Sequence, residues 1–346
     1  MPNTQLKTER NQSMEICKLI ASIFVVFIHV RFPGNLGGIM DCLARFAVPL
    51  FFGISGYFSF RAKTGKLGKR IVHILELNVA ASLLYIAWRW LVTAYYGGSV
   101  TDCFSSVIPG GESLVQWLLV SANPFAGHLW YLTAIGVCYG ILWLYVRFFG
   151  EKPVDYRPLY IVSVCLFTVH FIMGEMAKAV DAEVPFLLYR NALLFGLPMF
   201  TLGIFLREYQ ERIFANFRLT SGKLVTLIAA GIVLSLLQWK GTGIGEMPLG
   251  TLVEVMALML LLATHPKGTS SAIAQVVISM LGRMSTTVYI VHLLLIEAYE
   301  MFLMEKGISA LGTAEGYLRP LIVVFLSLAA AILWEFPHGL AGRFQK

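Results

Sequence analysis

The sequence predicts an all-α fold: a polytopic transmembrane helical bundle of about ten helices, with both termini in the cytoplasm. Three observations predict it. The 346 residues are 57% hydrophobic and only 14% charged, with a mean hydropathy of +0.72. A soluble domain usually carries about 25% charged residues, so too few charges remain here to coat a water-facing surface. The apolar residues come in runs of roughly 17–25, the length a helix needs to cross the hydrocarbon core. Finally, the segments between runs alternate between rich and poor in Lys and Arg, the signature of loops left on opposite sides of a membrane.

Ten spans are expected, roughly at 14–31, 39–60, 71–96, 127–149, 159–175, 189–207, 223–239, 248–264, 284–303 and 319–336. All are helical, because an open strand in lipid leaves backbone groups unpaired. The N-terminal end carries Lys7 and Arg10, and segment 61–70 carries five cations: Arg61, Lys63, Lys66, Lys69 and Arg70. Arg147, Lys152 and Arg157 follow, then Arg207, Arg212, Arg218 and Lys223, then Lys267 and Arg283, and last Arg343 and Lys346. The long segment 97–126 has no Lys or Arg. The contrast is sharpest before residue 224. It places both ends inside and implies a multi-pass protein of the cytoplasmic (inner) cell membrane. The first run lacks a small-residue cleavage site, so no cleavable signal is expected. No internal repeat, linker or low-complexity tract stands out, so residues 1–346 are expected to form a single domain. Within 97–126, Leu114–Val120 reads as a short amphipathic piece on the membrane surface.

The net charge of +7 invites a nucleic-acid reading. Cytoplasmic loops account for it, and no nucleic-acid partner is expected. Cys17, Cys42, Cys103, Cys138 and Cys165 show no CxxC or His/Cys metal spacing. They read as small core residues, and no metal is expected.

Ionisable groups inside spans are costly, so each is a site candidate. Lys18 and His29 are eleven residues apart in the first span, about three turns. They therefore share one helix face, roughly 16 Å apart along the axis. Threading puts Lys18 near the inner surface and His29 in the outer half. Arg45, His128, Trp130, Arg190 and Asn191 fall at the outer level. Ser55, Tyr57, Lys69, Arg70, Glu76, Arg283 and Ser285 fall at the inner one, with His292 at mid-depth and Glu254 about two turns in from outside. Each has a bland reading too. Lys18 can snorkel, His29 can be a hydrogen-bonded core histidine, and Ser55-Gly56-Tyr57 can be a close helix contact. His128 and Trp130 can belong to an interfacial belt, and Arg190-Asn191 can anchor a helix end. Lys69 and Arg70 can be positive-inside signals, with Glu76 neutralising one of them. Glu335 and His338 read as interfacial. Arg45 must find an acid, a carbonyl or an anionic ligand. The aligned Lys18 and His29 favour function, because a bilayer penalises an idle polar stripe.

These residues resemble the acyltransferase-3 family of membrane proteins. The resemblance rests on Lys18 and His29 with ten residues between them, on the Arg45-Phe-Ala-Val-Pro-Leu-Phe-Phe-Gly-Ile-Ser-Gly-Tyr57 run followed by Lys69-Arg70, and on His128-Leu-Trp-Tyr-Leu. Arg190-Asn191, Phe195-Gly-Leu-Pro and Ser285-Thr-Thr-Val-Tyr-Ile-Val-His292 look like later landmarks of it. It covers about residues 14–336. It implies acyl transfer to extracytoplasmic or lipid-linked glycans and similar acceptors, with acetyl-CoA as the usual donor. Carried over, Lys18 is the basic residue and His29 the essential histidine. Many members have Arg where this chain has Lys18, which gives a point charge in place of a bidentate fork. The motifs around Arg45 and Arg190 are also similar to the membrane half of vancomycin-resistance serine racemases.

Under the acyltransferase reading, His29, Lys18 and Arg45 are the catalytic candidates. Lys69, Arg70, Tyr57 and Ser55 would bind acetyl-CoA. His128, Trp130, Arg190 and Asn191 would bind the acceptor. The expected partners are the lipid bilayer, acyl-CoA and a glycan or lipid-linked acceptor. The rival is a serine-like amino-acid transport or binding domain associated with a racemase. It is disfavoured because transporters often carry internal repeats with broken helices in matching positions.

Overall fold

The computed structural model describes residues 11–108, 110–150, 154–243, 245–265, 271–307 and 313–341. Lys7, Arg10, Lys152, Lys267, Arg343 and Lys346, which enter the charge alternation, lie outside these residues, as does the side chain of His338. Helix is the only regular structure among the described residues. Nine of their helices are long and apolar enough to cross a bilayer, and Leu249–Thr264 is a shorter apolar tenth. The protein is an all-helical, polytopic membrane bundle.

In chain order the helices are α1 (Gln12–His29), α2 (Gly34–Ala44), α3 (Ala47–Tyr57), α4 (Thr64–Tyr95), α5 (Val100–Val107), α6 (Gly111–Val120), α7 (Trp130–Phe149), α8 (Arg157–Phe171), α9 (Leu197–Phe217), α10 (Ser221–Thr242), α11 (Leu249–Thr264), α12 (Ala272–Glu305) and α13 (Thr313–Ala341). A π-turn at Ile172–Met176 prolongs α8, and another at Ala192–Gly196 leads into α9. Two differences from the expected spans have simple causes. The second span is split at Arg45–Phe46, because Pro49 has no N–H to give the Arg45 carbonyl four residues back. The third begins at Thr64 rather than 71, so much of the basic segment is helix. Its 32 residues reach about 48 Å at 1.5 Å per residue, well beyond a hydrocarbon core of about 30 Å. The first turns, with Lys66, Lys69 and Arg70, can thus sit in the headgroup layer.

The backbone groups into two compact units. The first takes the described residues of Met1–Leu50, Leu219–Leu236 and Gly250–Lys346. Here α1 packs on α2, α12 and α13, and α12 packs on α13. Val26, Val30, Met284, Val288, Ile296 and Val323 form a shared apolar core. α10 meets α11 backbone to backbone: a Cβ added at Gly231 would lie 2.6 Å from the Gly250 carbonyl oxygen. Polar links mark matching helix ends. Asn11 Nδ2 donates to Leu262 O at 2.7 Å, and Arg283 Nε reaches Glu335 at 2.7 Å. At the opposite end Arg319 pairs with Glu300. Residues 11–18, 262–265, 279–287 and 335 therefore lie at one end, as alternate threading requires. Glu335, expected at the interface, packs at this end against α12. It is buried and also accepts from Thr287.

The second unit takes the described residues of Phe51–Arg218 and Leu237–Leu249. α4 packs on α5 and α7, and α8 on α9. α3 and α9 approach through glycines: a Cβ at Gly203 would lie 2.7 Å from the Tyr57 nitrogen. The small-residue reading of Gly56 holds for the same reason, since its Cβ would meet the Phe200 backbone. The expected surface piece is α6, whose Trp117 Nε1 donates to Thr133 Oγ1 at 3.0 Å while Leu114, Val115 and Leu119 are exposed. A capping box starts α5. Ser99 and Asp102 bond reciprocally, and these hydrogen bonds hold the Asp102 carboxyl below its ordinary range. Val72, Leu75, Val79 and Leu83 leave an exposed apolar stripe along α4, which suits hydrocarbon as solvent. Four cysteines are buried core residues as expected, but Cys165 is exposed.

Candidate active site

In the first unit α1 carries Lys18 and His29, three turns apart. Lys18 Nζ lies 2.8 Å from Glu15 Oε2. The Glu15 carboxylate occupies the space that any side chain at Gly282 of α12 would need. Ser285, on the next turn, donates to the Gly282 carbonyl at 2.7 Å. The Lys18 ammonium is thus part of an ion pair seated against α12. At the far end of α1, His29 is exposed, while His292 on α12 is fully buried. Their ring centroids are 5.1 Å apart with planes at 43°. Nδ1 of His292 lies 2.8 Å from Tyr289 O and 3.2 Å from Val288 O.

Arg45 sits at the break between α2 and α3, and finds the acid its burial calls for. Its Nη2 lies 2.9 Å from Asp41 Oδ1, while Arg31 Nη2 lies 2.8 Å from Asp41 Oδ2. Asp41 has no exposed surface. One carboxylate thereby orients two guanidiniums. Glu254 of α11 is buried beside Gly231.

In the second unit the inner-level candidates cluster around the end of α3. Tyr57 Oη donates to Gln210 Oε1 at 2.9 Å and accepts from Arg207 Nη1 at 3.0 Å. Ser55 lies beside the side chains of Tyr131 and Tyr139. Arg70 donates to Ser59 Oγ at 2.6 Å and to Phe58 O at 3.1 Å, and its guanidinium lies 5.6 Å from the Tyr139 ring centroid. Arg70 is therefore not neutralised by Glu76. Lys69 and Glu76 are both exposed.

The outer-level candidates form a second group. His128 is buried in a 3-10 turn, its Nε2 3.4 Å from Tyr85 Oη. The Arg190 guanidinium lies 4.5 Å from the Phe186 ring centroid and 5.5 Å from that of Trp130, with Glu246 at 3.7 Å. Aromatic faces attract a cation this close. Asn191 is a cap: its oxygen accepts from Leu193 and Leu194 N–H groups, and its amide nitrogen donates to Leu187 and Leu188 carbonyls. The segment before His128 is pinned by Asn123, which donates to Asn78 and Ser82 and accepts from two backbone N–H groups.

The sequence reading did not single out Glu15, Asp41, Arg207, Glu246 or Asn123. Two of these carry a local signal. Glu15 is three residues before Lys18 and Asp41 four before Arg45, the spacings at which helical side chains meet. Arg207, Glu246 and Asn123 make contacts far along the chain, for which spacing offers no sign.

These helices, with polar and charged side chains packed among their apolar runs, define the class as a polytopic membrane protein. The family comparison says which kind. The acyltransferase domain of the acyltransferase-3 family matches residues 11–337, and the chain belongs to that family. It is a membrane acyltransferase, transferring groups other than aminoacyl. Neither the curated proteins nor the solved structures searched give a match.

Proposed function

We propose that the protein moves an acetyl group from acetyl-CoA on the cytoplasmic side to a hydroxyl of an extracytoplasmic or lipid-linked acceptor, a cell-envelope glycan, at the cytoplasmic membrane. The observation that carries this reading is α1 itself. An exposed imidazole stands on one helix with an ion-paired lysine three turns away. The proposal gives His29 the proton transfer, a task suited to an imidazole near pH 7. The ring takes the proton of the acceptor hydroxyl as its oxygen bonds to the acyl carbon. The thioester C–S bond then breaks, and the departing CoA thiolate recovers the proton. Acceptor ester and free thiol are the products. Arg45, oriented by Asp41, has the task of stabilising the tetrahedral oxyanion.

Donor recognition is assigned to the inner-level group of the second unit. Lys69 and Arg70 supply cations for phosphates, and Ser55 and Tyr57 supply hydroxyls. Tyr57 also holds Arg207, which adds a guanidinium suited to phosphate. Lys18 contributes as a pair with Glu15. The acceptor is assigned to His128, Trp130 and Arg190. Asn191 has its amide committed to the backbone, so its part is to shape the turn that presents Arg190.

Membrane vesicles of defined sidedness test the proposal. Labelled acetyl-CoA does not cross a bilayer. Acetyl transfer to non-protein envelope material is expected in inside-out vesicles and not in sealed right-side-out ones. Transfer in right-side-out vesicles alone overturns the cytoplasmic donor. Uptake of labelled serine without acetyl-CoA, and without acetyl transfer, overturns the reading as a whole.

A further inference from the structure

We infer that Glu246 is a specificity-determining residue of the outer-level group, held opposite Arg190 by Glu175 and Gln238, so that the site takes an uncharged, hydroxyl-bearing acceptor and rejects an anionic one. This rests on the reading of Arg190 as an acceptor residue, and it starts from a buried carboxylate. Glu175 lies in the π-turn that prolongs α8 and is buried. Its Oε1 accepts from the Met247 N–H at 2.8 Å, and its Oε2 accepts from Gln238 Nε2 at 2.6 Å. Gln238, on α10, commits its own oxygen to the N–H of Leu249 at 3.1 Å, where α11 begins. Each donor and acceptor role in this chain of hydrogen bonds is thereby fixed. The approach is so close that the Glu175 carboxylate occupies the place a Cβ would take at Gly245. The backbone on both sides of Glu246 is clamped.

What the clamp holds is Glu246, whose Oε1 faces Arg190 Nη1 at 3.7 Å. That is longer than a hydrogen bond. Among the described residues the Arg190 guanidinium makes no hydrogen bond. It lies against the Phe186 and Trp130 rings, and the side chain is 28% exposed. A guanidinium set on aromatic faces would by itself draw carboxylates and phosphates. With the Glu246 carboxylate beside it, the pair carries no net charge. An incoming carboxylate meets its like charge at the point where it would reach Arg190, and like charges brought together cost affinity. A sugar hydroxyl meets no such penalty. Its lone pairs accept from a guanidinium and its proton goes to a carboxylate, so one group answers both members of the pair. Glu246 can serve a hydroxyl alongside other partners, because the two oxygens of a carboxylate offer about four acceptor sites. The plainer alternative is that Glu175 and Gln238 only satisfy the first N–H groups of α11, with Glu246 near Arg190 to no effect on the acceptor.

Ligand binding to the full-length protein in phosphatidylcholine nanodiscs separates the two. The probes are dodecyl β-D-glucoside and dodecyl β-D-glucuronide, which differ only in a hydroxymethyl or a carboxylate on the sugar ring. Wild type is expected to bind the glucoside more tightly. In Glu246→Gln the ratio of glucoside to glucuronide affinity should fall about tenfold, an effect between those of an exposed and a buried charge contact. Glu175→Gln takes one acceptor out of the chain of hydrogen bonds, frees the segment, and should lower the ratio in the same direction. In the double variant Glu175→Gln/Gln238→Glu the amide and the carboxylate change places and every link can be remade. The ratio should then return to within about threefold of wild type, as coupled partners allow. A role limited to the start of α11 gives Glu175→Gln a lower thermal midpoint and an unchanged ratio, and that result overturns the inference. An unchanged ratio in Glu246→Gln overturns it too, and this arm stands even if the Glu175 variant misfolds. Preference of the wild type for the glucuronide, or binding of neither probe, also overturns it. Absence of acetyl transfer to envelope material would overturn the acyl-transfer reading, while the affinity ratio would still report on Glu246.

Discussion

Asp41 shows how polar residues within the bundle are held. It has no exposed surface, and its two oxygens face two guanidiniums. The pairs are unequal. The Arg31 side chain is 63% exposed and that of Arg45 only 12%. Exposed pairs are worth about 0–1 kcal/mol, whereas removing one partner from a buried pair costs about 3–5 kcal/mol, because a charge is left without its counterion. Arg31→Ala should therefore barely move the thermal midpoint in detergent. Asp41→Ala should lower it by many degrees and reduce acyl transfer by disorienting Arg45. Equal shifts for the two would contradict this account. At this scale the sequence was half legible. Spacing alone aligned Lys18 with His29, and burial alone demanded a partner for Arg45. The identity of that partner was readable too, four residues upstream. His292 was visible only as a mid-depth ionisable group. Its meeting with His29 joins positions 263 residues apart, and no local periodicity encodes such a contact.

Among the elements, the glycine contacts decide which helices come together. With little hydrophobic drive between helices in lipid, close backbone approach does much of the work. Gly203 has no room for a Cβ against Gly53 and Tyr57, whereas Gly140 in α7 has nothing within 4 Å of where its Cβ would be. Gly203→Leu must push α9 off α3 and should cost upwards of about 3 kcal/mol. It should also disturb the Tyr57–Arg207 contact and weaken binding of the proposed donor. Gly140→Leu should be close to neutral. Detergent thermal melts of the two variants check this, and similar midpoints would refute it. The ten apolar runs were legible because hydropathy needs no tertiary information. The split of the second span was signalled by Pro49, since a proline deprives the carbonyl four residues back of its bond. The length of α4 was not legible, because charged residues at a membrane surface look like loop in a hydropathy profile whether or not they are helical.

For the molecule as a whole, alternate threading explains why polar links inside each unit join matching helix ends: Asn11 with Leu262 and Arg283 with Glu335 in the first, and Arg61 with Tyr156 and Tyr160 with Glu208 in the second. The basic segments fall at these ends, so positive-inside logic assigns them to the cytoplasm. Such a chain can meet a cytoplasmic donor at one end of its helices and an outer acceptor at the other. Membership of the acyltransferase-3 family makes acyl transfer the chemistry, and α1 carries the proposed base. The central claim is that His29 performs this transfer. The measurement that tests it most directly is the turnover of labelled acetyl-CoA by the purified protein with envelope acceptor material, wild type against His29→Ala. The account predicts a fall in kcat of about 10²–10⁴, the usual contribution of a general base, in a variant that still folds. Undiminished turnover in His29→Ala would contradict it.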